Sequence, residues 1–89
     1  MKFVNVGYGN LVAAERIVLI ASPESAPVKR LIQDAKDDSR AVDLTCGKKT
    51  RAIIVTDTEH VIMSALPSEK IGARASGEEV AEESDTPDA

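Results

Sequence analysis

An 89-residue chain with one phenylalanine, one tyrosine and no tryptophan has room for one small domain, which must hold itself together by aliphatic packing. Its single cysteine excludes an intramolecular disulfide, and no apolar run approaches the roughly 20 residues that cross a bilayer, so a membrane role has no support. The formal charge of −4 is divided unevenly: residues 1 to 74 hold all 11 Lys and Arg beside nine of the 15 acids, while residues 75 to 89 hold six acids and no base.

Lys2-Phe3-Val4-Asn5-Val6 alternates as a short half-buried strand does, and Gly7-Tyr8-Gly9-Asn10 breaks it with turn residues. Leu11 to Glu15 fits either one helical turn or an extension of the strand. Ile17-Val18-Leu19-Ile20-Ala21 is continuous, rich in β-branched residues, and reads as a strand buried on both faces. Ser22-Pro23-Glu24-Ser25-Ala26-Pro27 then signals a helix start: serine caps free amides, glutamate suits the positive end of the dipole, and proline is tolerated in the first turn. Val28, Leu31, Ile32 and Ala35 make one helical face, opposite Lys29, Arg30, Gln33, Lys36 and Asp37.

Asp38-Ser39 ends that helix. Val42-Asp43-Leu44-Thr45 alternates as a strand, and Ala52-Ile53-Ile54-Val55 is a second continuous apolar strand. Between them Cys46 to Lys49 reads as the loop of a β-hairpin, with Gly47 free to take a positive φ. Asp57-Thr58-Glu59 is the next turn and His60 to Leu66 the last strand. A short helix starts near Pro67-Ser68-Glu69 with Ile71 as its apolar anchor. From residue 75 the chain lacks the apolar residues to fold, and a disordered acidic tail over 75–89 is expected.

The fold class expected is α+β. Residues 1–74 form one domain of about five mostly antiparallel strands with one main helix and a short C-terminal helix. One amphipathic helix shields one face of a sheet, so two doubly apolar strands predict that another copy of the chain covers the second face.

The residues offer little to an enzyme. His60, the only histidine, has no nucleophile placed to form a triad with it, and it reads as a turn or strand-end residue. Cys46 and His60 lack paired metal-ligand spacing, so neither a metal nor a cofactor is expected. Gly7-Tyr8-Gly9-Asn10 lacks the third glycine of a dinucleotide fingerprint and reads as a tight turn.

The basic stretch Lys48-Lys49-Thr50-Arg51 carries more. Its charges have Asp43 and Asp57 as the nearest acids in sequence, Thr45 and Thr50 add hydroxyls, and Gly47 lets backbone amides approach a phosphate. Arg16, placed before a buried strand, must project outward. Repeated around a symmetric assembly, this set becomes a stripe suited to nucleic acid.

Asn5-Val6-Gly7-Tyr8-Gly9-Asn10, Arg16, the Ser22 to Pro27 segment followed by Lys29-Arg30, and Thr45-Cys46-Gly47-Lys48-Lys49-Thr50-Arg51-Ala52 with Asp57 and His60 together resemble the RemA family. These bacterial regulators control extracellular matrix and biofilm genes, and the likeness runs in order over about residues 1 to 70. It implies a cytoplasmic, nucleoid-associated transcriptional regulator that assembles into rings and binds duplex DNA upstream of promoters, wrapping or bending it. Arg16 matches a family arginine tied to DNA binding, Lys48 and Lys49 stand where the family has an Arg-Arg pair, and Pro27 matches a proline important for assembly or folding. Lysine keeps the charge but loses the planar fork, which weakens bidentate contacts. Cys46 replaces a usual aromatic, and the acidic tail lies outside the resemblance.

The DNA-binding set is therefore Arg16, Lys48, Lys49 and Arg51, with Lys29, Arg30 and Thr50 as candidates for DNA or subunit contact. No small-molecule substrate is expected. The alternative is a non-enzymatic oligomeric scaffold whose charges serve only solubility. The near absence of aromatic stacking platforms counts against single-stranded RNA.

Overall fold

In the computed structural model, which describes residues 2–77, Phe3–Asn5 (β1) and Leu11–Ala13 (β2) pair as an antiparallel hairpin. The turn between them is closed by Val6 N–H donating to Asn10 O at 2.9 Å and by the Asn5 side chain accepting from Gly7 N–H at 2.8 Å. The segment left open by the sequence thus divides: Leu11–Ala13 is strand, and Ala14–Arg16 is one 3-10 turn.

The main sheet contains Ile17–Ala21 (β3), Ala41–Asp43 (β4), Ala52–Thr56 (β5) and Val61–Ser64 (β6), ordered β3-β5-β6-β4. β5 runs antiparallel to both β3 and β6, whereas β4 runs parallel to β6. Ala26–Asp37 (α1) links β3 to β4 across the sheet, starting where Ser25 Oγ accepts from Val28 N–H at 3.3 Å. Ser68–Ala75 (α2) follows β6. The α+β class, both helices and a largely antiparallel pairing agree with the sequence reading, with six short strands among the described residues rather than about five.

Alternate residues of β5 and β6 feed two cores. Ile53, Val61 and Met63 pack under α1 with Ala35, Val28, Leu31 and Ile32. On the other face Ile54, Ile62 and Ala52 meet Val4, Val6 and Val12 of the hairpin segment and Ile71 of α2.

Three expectations need correction. The second face of the sheet is covered by the chain's own β1–β2 hairpin and α2, so sheet coverage alone does not call for another copy. Strand β3 is not buried on both faces. It is an edge strand with a register shift between Ile17 and Leu19, which turns Ile17 and Ile20 to the core and leaves Val18 69% and Leu19 43% exposed. Nor is the basic stretch a hairpin tip. Val61–Ser64 lies between β4 and β5, so residues 44–51 form a crossover loop.

Of the acidic segment expected over 75–89, Ala75 closes α2 against the core, and residues 78–89 lie outside the described residues. No helix among the described residues is long and apolar enough to cross a membrane.

Candidate nucleic-acid interface

Strands β3, β4 and β6 point the same way, so their C-terminal ends share one side of the sheet with the N-terminal end of β5. That side collects the start of α1 after β3, the basic loop after β4 and the start of α2 after β6. The loop arches over the end of β6 and is tethered on both flanks: Leu44 N–H donates to Met63 O at 2.9 Å, and Arg51 N–H to Ser64 O at 2.8 Å.

Within the loop, Lys48 N–H donates to Thr45 O at 3.0 Å, while Cys46 and Gly47 have φ of 53° and 82°. Positive φ at both central residues is the pattern of a primed turn, so the local chemistry of Cys46-Gly47 is that of a hairpin even though its flanking strands never pair. Asp43 anchors the start. Its carboxylate accepts from Thr45 N–H at 2.9 Å and from Thr45 Oγ at 2.6 Å, with the Thr45 side chain buried. These bonds, the side-chain one foremost, hold the Asp43 carboxyl below its ordinary range against the opposing effect of desolvation, with a lesser contribution from nearby Lys36.

The sign of the linkage follows. A depressed carboxylate steadies the folded loop above its unfolded pKa, and that contribution is lost as pH falls through the folded value. An Asp43→Asn variant is expected to loosen the loop at pH 7. Amide exchange at Thr45 and Lys48 should rise while the exchange of β5 amides stays unchanged.

Lys48, Lys49 and Arg51 are exposed, and none enters an ion pair among the described residues. Lys49, Thr50 and Arg51 form one wall of a half-open cleft of about 740 Å³, Ser22, Pro23, Glu24 and Lys29 another, and Pro67, Ser68 and Glu69 the third. The charges are therefore less isolated than sequence distance implied, since Glu24 and Glu69 share their cleft. Lys48 lies outside the cleft lining, and so does Arg30 on the exposed side of α1. Pro27 occupies the first turn of α1 and is exposed.

Arg16 lies elsewhere. It precedes β3 and is 58% exposed, and its guanidinium meets the Asp57 carboxylate at 3.2 Å beyond the far end of β5. The five residues of β5 separate it from Arg51 by roughly 17 Å of strand at about 3.4 Å per residue. One protomer thus presents two separate basic points at opposite ends of the sheet.

His60 belongs to the Arg16 end, where its Nδ1 and Thr58 Oγ lie 2.7 Å apart in the β5–β6 turn. Among the described residues no group of three or more His, Cys, Asp or Glu is placed to hold a metal ion. Sequence reasoning missed Glu24, Glu69 and the start of α2 as neighbours of the basic loop. Their convergence depends on the parallel β4–β6 pairing, which leaves no local signature.

The family model RemA-like, described as "Extracellular matrix regulatory protein A-like", matches residues 3–75. A protein of Geobacillus thermodenitrificans (strain NG80-2) named "Putative regulatory protein" is 53% identical over 77 residues, covering 86% of this chain and 88% of its own. A relative of the same name from Clostridium botulinum (strain Alaska E43 / Type E3) is 51% identical over 86 residues, covering 96% and 97%.

Proposed function

This chain belongs to the RemA-like family, and from that premise we propose that it is a DNA-binding transcriptional regulator, non-enzymatic and homo-oligomeric, that controls extracellular matrix and biofilm genes. The observation that carries the reading is the tethered loop with three exposed cations, Lys48, Lys49 and Arg51, free of ion pairs among the described residues. A flexible surface lysine contributes little to a specific contact. A cluster fixed to β6 from both sides and held by Asp43 offers phosphates a pre-ordered partner.

Arg16 extends this surface only in an assembly, because within one protomer it lies at the opposite end of the sheet. Exposed apolar side chains supply surface for association: Val18 and Leu19 on edge strand β3, and Phe3 and Leu11 on the outer face of the β1–β2 hairpin. A heterologous contact between copies closes into a ring and repeats the two basic points around it. DNA following such a path bends or wraps, and Pro27 supports the folding or assembly of the α1 start.

Sedimentation with and without duplex DNA at low salt tests the reading. The protein is expected to run as an oligomer and to co-sediment with DNA, and Arg16→Ala should weaken that binding several-fold while leaving the protein's thermal unfolding unchanged. Identical sedimentation with and without DNA removes the nucleic-acid function and leaves a scaffold.

A further inference from the structure

We propose that the cleft between the basic loop and the starts of α1 and α2 binds a nucleotide, and that the bound nucleotide competes with DNA for Lys49 and Arg51. The competition rests on the DNA-binding reading above, whereas the nucleotide site rests on the cleft alone.

Contact with a DNA backbone needs only an outward basic surface, yet here the chain builds a concavity. Its volume, about 740 Å³, falls within the range of sites that enclose small molecules. Lys29, Lys49 and Arg51 reach it from two different walls, and none is neutralised by an ion pair among the described residues. On the third wall the first turn of α2 lines the cleft through Pro67, Ser68 and Glu69, and it has no side-chain cap, its N-cap position being Pro67. Three cations and a helix N-terminus suit a phosphate group.

The remaining lining argues against a bare anion. Glu24 and Glu69 line the same cleft and repel a ligand that is only phosphate. They suit one that also carries hydrogen-bond donors, such as ribose hydroxyls or an exocyclic amine. Pro23 and Pro67 add apolar surface for a flat ring. A nucleotide has all three features, and its phosphates would occupy the cations that the DNA backbone needs.

Calorimetric titration of the full chain with ADP, and separately with inorganic phosphate, tests this together with displacement of a labelled DNA duplex. The expected result is one ADP per protomer, bound at least tenfold more tightly than inorganic phosphate, with DNA released as ADP saturates. Arg51→Gln and Lys49→Gln should each weaken ADP about tenfold, the effect of losing a charged hydrogen bond. Lys48→Gln lies off the cleft and should change ADP affinity less than twofold while still weakening DNA.

Absence of ADP binding at millimolar concentration, with DNA binding intact, overturns the nucleotide site and spares the regulator. Equal affinity for ADP and phosphate, or equal losses in Lys48→Gln and Arg51→Gln, overturns it as well, because either shows diffuse charge. ADP binding by a chain that ignores DNA upholds the cleft and removes the DNA reading.

Discussion

A Lys48→Ala, Lys49→Ala double variant is expected to bind duplex DNA with a log-log salt slope shallower than the parent's by about 1.8 for every engaged protomer, at roughly 0.9 for each phosphate no longer neutralised. The parent therefore loses about tenfold more affinity per protomer than the variant over a fourfold rise in salt. In an assembly with several protomers on one duplex the effect multiplies. Because both side chains are exposed and unpaired among the described residues, the substitution should leave unfolding within about 0.5 kcal/mol of the parent. Fluorescence anisotropy of a labelled duplex across salt concentrations measures the slopes, and equal slopes would exclude the loop from DNA contact. A parallel Lys48→Arg, Lys49→Arg variant restores the planar fork and is expected to keep the slope while sharpening discrimination between sequences.

The largest effect on the fold is expected from Ile54→Ala. Ile54 is fully buried in central strand β5, among side chains of the β1–β2 hairpin segment and α2. Its truncation removes three carbons where neighbours from separate elements cannot all collapse inward, and costs about 2–5 kcal/mol. A domain of this size has only about 5–10 kcal/mol in total, so Tm should fall by about 10–30 °C. Val18→Ala provides the contrast. Its parent side chain is also aliphatic and in a strand, but lies mostly in solvent, and the substitution should leave the unfolding of the isolated chain within about 0.5 kcal/mol. Thermal unfolding followed by circular dichroism separates the two, and similar losses in both would contradict the edge position of β3.

The difference between those two residues also shows where the sequence was informative. Ile17 to Ala21 and Ala52 to Val55 look alike as strings of β-branched residues, yet one lies at the edge and the other at the centre. Strand order is a long-range property, and a short apolar run carries no record of its neighbours. Helices were more legible, because the Ser25 cap and the Val28, Leu31, Ile32, Ala35 face are local patterns. The loop at Cys46-Gly47 lies between these cases. Its turn conformation was readable from composition, but the strand that separates its flanks comes 15 residues later, at Val61. The site followed the same division: the three cations were visible as a cluster, whereas Arg16 and Arg51 are close to opposite strand ends, and the two glutamates reach the cleft only through the folded topology.

The placement of β4 has a kinetic consequence. β5 and β6 are joined by a tight turn and can meet early, because closing a short loop costs little entropy. β4 holds to the sheet through β6 by three residue pairs, and its docking closes a longer stretch of chain that includes the basic loop and β5. The basic loop gains its second anchor, Leu44 to Met63, only at that step. The chain therefore acquires its ordered cationic arch late in folding, and a partly folded polypeptide emerging from the ribosome has its lysines but not the geometry that presents them. Folding in this way converts a dispersed charge on the chain into a cationic surface of fixed shape.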